Sequence, residues 1–154
     1  MTYQEALITQ IELYFHDIVE PYHGVTVEAM KKAKKLNLFK KTDFTVYIRQ
    51  FEQFKEKALR LESMDIPIPE EDIETKLLAK DFRNSLLSFV MLCEANMVFY
   101  DWNQRKQYKD SGITVKGYTE VVNKMQDALK EAVLDLDFLE RTYKKYRGDQ
   151  PAQE

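Results

Sequence analysis

Punctuation is scarce in this chain: 154 residues hold only 4 Gly and 4 Pro. A β-sandwich or barrel needs a turn roughly every 8–12 residues, and turns draw on those two residue types. The scarcity argues against those architectures and points to long helices. Residue spacing agrees. Leu7, Ile11, Tyr14, Ile18 and Tyr22 recur at intervals of 4, 3, 4 and 4, one stripe of an amphipathic helix. Thr2 and Glu5 have the spacing of a capping box. There the threonine hydroxyl accepts from the glutamate amide and the carboxylate returns to the threonine amide.

Pro21 lacks an amide proton, and its ring crowds the carbonyl of Asp17. The first helix is therefore expected to end or kink near Glu20, with Gly24 completing the stop. Thr26 is placed to cap a short second helix reaching about Leu36. Thr42 or Asp43 is placed to cap a third, in which Phe44, Tyr47, Ile48, Phe51, Phe54, Ala58 and Leu61 keep a helical rhythm. Pro67 and Pro69 force extended geometry on the residues before them. The stretch reads as a connector with Ile66 and Ile68 tucked against the bundle.

The fourth helix is expected to open among Glu70, Glu71, Asp72 and Glu74, acids that the helix dipole favours there, and to run to about Tyr108. Asp110 to Ile113 form the turn. A fifth helix carries Tyr118, Val121, Val122, Met125, Leu129, Ala132, Leu136, Leu139, Tyr143 and Tyr146 in one stripe, and Gly148 is placed to end it. No strand pattern survives. The expected fold is all-α: an antiparallel helical bundle of four main helices plus one short helix, one domain over residues 1–148, with 149–154 a frayed tail.

The fourth helix stands out because it has two apolar faces. Phe82, Leu86, Phe89, Cys93, Met97 and Tyr100 share one; Ile73, Leu77, Leu87, Met91, Val98 and Trp102 share nearly the opposite one. Such a helix is either central and wrapped by its neighbours, or it uses its second face between chains. Leu134 and Phe138 lie opposite the core stripe of the fifth helix and extend the same candidate partner surface.

Chemistry is harder to find. Glu20 and His23 form a Glu-x-x-His pair interrupted by Pro21, and Glu12, His16 and Glu20 align on a face directed to water. Two histidines and one cysteine are too few for the familiar bundle metal sites, so no metal, cofactor or catalytic residue is assigned. Glu94, enclosed by apolar sequence, reads as part of a polar seam with Arg83, Asp101 and Arg105. Cys93 lies on the core face.

Charge is uneven. Residues 1–30 carry Glu5, Glu12, Asp17, Glu20 and Glu28 and no Lys or Arg; Lys31, Lys32, Lys34, Lys35, Lys40 and Lys41 follow. That basic segment is a candidate nucleic-acid contact. Lysine without arginine and with little aromatic company is poor at base recognition, and the net charge of −3 argues the same way. The simpler reading lays these lysines across the acidic face of the first helix. The expectation is a cytoplasmic, non-enzymatic protein that binds another protein, with self-association favoured and no membrane contact. A nucleic-acid accessory role is the alternative.

Overall fold

The computed structural model describes residues 1–34 and 40–149. It is an all-α bundle with the element order α1 (Tyr3–Leu13), a π turn (Tyr14–Val19), α2 (Glu20–Lys34), α3 (Thr45–Ser63), α4 (Ile73–Gln107) and α5 (Val115–Asp149). The capping box forms as the spacing predicts: Glu5 N donates to Thr2 Oγ1 and Thr2 N to Glu5 Oε2, both at 3.1 Å.

The first departure from expectation is at Pro21. The helix neither ends at Glu20 nor stops at Gly24. It widens into the π turn, where the Glu20 amide reaches back five residues to the Phe15 carbonyl. The change of register falls directly before the residue that has no amide to give, so the helix absorbs Pro21 without breaking. α1, the π turn and α2 therefore form one rod. Thr26 caps nothing; its hydroxyl donates to the His23 carbonyl one turn back. The end expected near Leu36 lies outside the described residues.

Asp43 does serve the start of α3, accepting from both the Thr45 amide and hydroxyl. Asp72 caps α4, accepting from Thr75 N at 3.2 Å. α5 runs through Gly148 to Asp149, so that glycine does not end it, and residues 150–154 of the expected tail lie outside the described chain.

α4 is the centre of the bundle. α3 packs along one side of it and α5 along the other, while the α1–α2 rod covers its front. Hydrogen bonds fix the antiparallel α4–α5 pairing at four levels, joining Thr75 to Tyr146, Asp81 to Thr142, Ser88 to Asp135 and Asn103 to Tyr118. The stripe Leu7, Ile11, Tyr14, Ile18 and Tyr22 of the α1–α2 rod is buried in one core cluster with Phe82, Leu86, Phe89 and Cys93 of α4.

Four polar side chains of α4 are buried: Thr75, Ser85, Asn96 and Asn103. Each meets a tyrosine hydroxyl from another helix. Thr75 pairs with Tyr146 at 2.9 Å, Ser85 with Tyr14 at 2.8 Å, Asn96 with Tyr22 at 2.8 Å and Asn103 with Tyr118 at 3.1 Å. Burying these groups is tolerable because each is paired.

Candidate functional site

The second apolar face of α4 is not covered within the chain. Ile73, Leu77, Leu87, Met91 and Val98 are exposed, Met91 by 65%. α4 is thus central and yet wet along one side, so wrapping by its own neighbours does not account for that face. Met91, Ala95 and Val98 line one wall of a groove of about 650 Å³, and Val121 and Ala128 of α5 line the other. Glu94, Lys124, Asp127 and Glu131 rim it. Further along α5, Leu134 and Phe138 are each about half exposed.

Trp102 behaves differently from its neighbours on that face. Its indole lies over Gly117 so closely that a Cβ there would sit 2.7 Å from Cη2. The guanidinium of Arg105 stands 5.8 Å from the ring. The side chain is half-buried, held at the start of α5 and not presented with Met91 and Val98. Leu129, placed by periodicity in the α5 core stripe, is also more exposed than that stripe implies.

The titratable groups singled out from sequence are engaged or sealed. Glu94 is half exposed and pairs across helices with Lys55 of α3 at 3.1 Å, while Arg83 pairs with Glu62. The seam therefore ties α4 to α3, where the sequence suggested pairs running along α4 itself; of those, Arg105–Asp101 is formed. His16 and Glu20 make an exposed 3.6 Å pair, and Glu12 accepts from the Tyr143 hydroxyl. Burial pushes the Cys93 thiol well above its ordinary range, which keeps it protonated and unreactive. Among the described residues no three metal-ligating side chains converge.

Lys31, Lys32 and Lys34 are exposed at the end of α2. They continue the same rod as the acids of α1, so they cannot fold back across its acidic face. Lys40 and Lys41 precede α3, with Lys41 Nζ 4.1 Å from the centre of the Tyr108 ring. Lys35 lies outside the described residues. No described helix is long and apolar enough to cross a membrane.

Periodicity missed one cleft. Tyr22, Met30 and Lys34 of the α1–α2 rod, Leu92, Asn96 and Tyr100 of α4 and Met125 of α5 border about 490 Å³ of space. The helical rhythm marks Tyr22, Tyr100 and Met125 as core, but not Met30 or Leu92, and does not show that the core stays open there. Searches of protein-family models, curated proteins and solved structures give no match to the chain.

Proposed function

We propose that this is a non-enzymatic protein that works through protein–protein contact, and that a second copy of the chain occupies the α4–α5 groove. The observation that carries the reading is the exposed apolar row Leu87, Met91 and Val98, with Leu134 and Phe138 on the neighbouring helix. Covering a large apolar side chain is worth about 1.5–3 kcal/mol, so a row of them is a strong incentive to associate.

The groove suits a two-fold pairing. Counting seven residues from the Ser88–Asp135 level brings Ala95 opposite Ala128, two small side chains that let a second copy come close. Met91 and Val98 stand almost evenly to either side of Ala95, and Lys124 and Glu131 to either side of Ala128. A two-fold axis at that level sets Met91 of one copy beside Val98 of the other and Lys124 beside Glu131. Apolar and charged groups are then complementary in one arrangement, as an isologous interface requires. Cys93 is buried, and Glu94 and His16 are exposed groups engaged in ion pairs, which favours a binding role over catalysis.

Sedimentation velocity and circular dichroism on wild type and Met91→Asp test this. The wild type is expected to sediment as a dimer. The variant is expected to be a folded monomer that still melts cooperatively, because Met91 is exposed within the chain, but below the dimeric wild type, which gains stability from association. A wild type that stays monomeric at high micromolar concentration, or a variant that still dimerises, would refute the proposal.

A further inference from the structure

The α4–α5 groove has unlike ends. One turn beyond the lining residues Val98 and Val121, Trp102 and Gly117 form a shelf. The indole crosses from α4 to α5, where its Cη2 and Cζ3 would stand 2.7 and 3.1 Å from a Cβ at Gly117. The ring is half-buried, so part of it stays open to solvent. At the other end stand Leu87 and Phe138, 40% and 51% exposed. Leu87 is seven residues from the rim residue Glu94, and Phe138 seven from the rim residue Glu131. That spacing returns a helical side chain to nearly the same face.

Hydrogen bonds fix both levels. Trp102 and Gly117 directly precede Asn103 and Tyr118, which are joined at 3.1 Å. Leu87 directly precedes Ser88, which is bonded to Asp135, three residues before Phe138.

Rotation about a two-fold at Ala95 and Ala128 exchanges these ends. Met91 then lies over Val98 of the second copy, so Leu87, four residues before Met91, meets Trp102, four residues after Val98. On α5, Lys124 lies over Glu131 of the second copy, so Gly117, seven residues before Lys124, meets Phe138, seven residues past Glu131. Each helix leads to the same match: the large exposed pair of one copy over the indole shelf of the other. Val121 and Leu134, three residues outside Lys124 and Glu131, coincide as well.

We propose, resting on the two-fold reading of the groove, that Leu87 and Phe138 of each copy close over the Trp102 indole of the other, so that two aromatic clasps bracket the groove and fix its register. The middle of the groove offers small and flexible residues, Ala95, Ala128 and Met91, over which a second copy can slide. A slide of one turn, about 5.4 Å, carries Phe138 off the indole and leaves both wet. Tryptophan buried at the contact is also the residue type that most often dominates association.

Sedimentation velocity and tryptophan emission, measured on the same dilution series, test the clasps. Emission from the single tryptophan is expected to shift to the blue as wild-type dimer forms, because side chains of the second copy displace water from the indole. Phe138→Ala and Leu87→Ala are each expected to weaken dimerisation by about tenfold or more, and Phe138→Ala to reduce the emission shift. Both side chains are partly exposed within the chain, so the monomers are expected to fold normally by circular dichroism. Met64→Ala, at an exposed apolar position on the connector before α4, is the control and is expected to leave the affinity unchanged. A dimer whose emission is independent of concentration, or whose affinity is indifferent to Phe138→Ala or Leu87→Ala, would overturn the clasps and leave the groove pairing standing. A wild type that never dimerises would overturn both.

Discussion

The hydroxyls of Tyr14 and Ser85 meet at 2.8 Å inside the bundle. Tyr14 comes from the π turn and Ser85 from the middle of α4. Thr75–Tyr146, Asn96–Tyr22 and Asn103–Tyr118 repeat the pattern at other levels. Apolar contacts tolerate sliding; these pairs do not, because a shift of one turn leaves a buried polar group alone. They fix how α4 aligns with its neighbours.

Tyr14→Phe should therefore destabilise the fold by about 1–3 kcal/mol, since it strands the Ser85 hydroxyl in the core. Combining it with Ser85→Ala should cost less than the two single changes added together. Urea denaturation of the four proteins measures the coupling. Strict additivity would show that the pair does not specify alignment.

Acid and base should both loosen the N-terminal end. Asp72 accepts from the Tyr3 hydroxyl at 2.6 Å and from Thr75. Those bonds, the Tyr3 one foremost, hold its carboxyl below the usual range. A lowered folded pKa adds stability that is present above the unfolded value and lost as pH falls through the folded one. The same bond raises Tyr3 to about 12, so its contribution is complete below pH 10 and disappears as pH rises through about 12. Asp72→Ala should cost about 0.5–2 kcal/mol at neutral pH and reduce the acid slope below pH 4. Thermal melts across pH check both limbs; an unchanged acid limb in the variant would contradict the assignment.

Gly117→Ala is a helix-favouring change on propensity alone, by about 1 kcal/mol. Here the added methyl would meet Trp102 at 2.7 Å. The expected result is net destabilisation by about 1–3 kcal/mol and a red-shifted emission from the single tryptophan. A stabilised variant with unchanged emission would show that the indole is free to move.

The α4–α5 turn offers the opposite outcome. Asp110 N donates to the Arg105 carbonyl and Lys109 N to the Lys106 carbonyl, the two bonds of a Schellman ending. Lys109 takes the left-handed position at φ 53°, where glycine is at ease. The apolar clasp usual in this motif is replaced by a 2.8 Å bond from Arg105 Nε to Asp110. Lys109→Gly should stabilise the protein by roughly 0.5–1 kcal/mol, read from the melting temperature.

The apolar stripes, the capping box and the two-sidedness of α4 could be read from residue spacing because each depends on neighbours a turn or two away. The tyrosine pairs could not: Tyr14 and Ser85 are 71 positions apart, Tyr22 and Asn96 74. Continuity through Pro21 was written in the sequence but obscured by the rule that proline ends an α-helix. The steps Tyr14, Ile18, Tyr22 are four residues each, which drifts by about 40° per step on an α-helix. Two such steps stay within an apolar stripe about 100° wide, so the spacing fits an α-helix as well as a wider turn, and all three residues are buried. Trp102 is half-buried because its indole lies over Gly117 at the start of α5, a cross-helix contact that helical periodicity does not encode. The apolar residues around Tyr100 were legible as core, whereas the open space between them depends on how far α2 stands from α5.

The unbroken rod from Tyr3 to Lys34 has an electrical consequence. Its 32 residues span about 48 Å. Glu5, Glu12, Asp17, Glu20 and Glu28 are spread along it, and Lys31, Lys32 and Lys34 crowd its last turn. A break at Pro21 would have allowed these charges to double back and cancel. In one continuous rod, Glu5, Glu12 and Asp17 stand more than a Debye length from the lysines and give it a lengthwise dipole, with Glu28 alone within a turn of Lys31 and Lys32. At low ionic strength an anionic partner arriving by diffusion meets a molecule already turned with its lysine end forward.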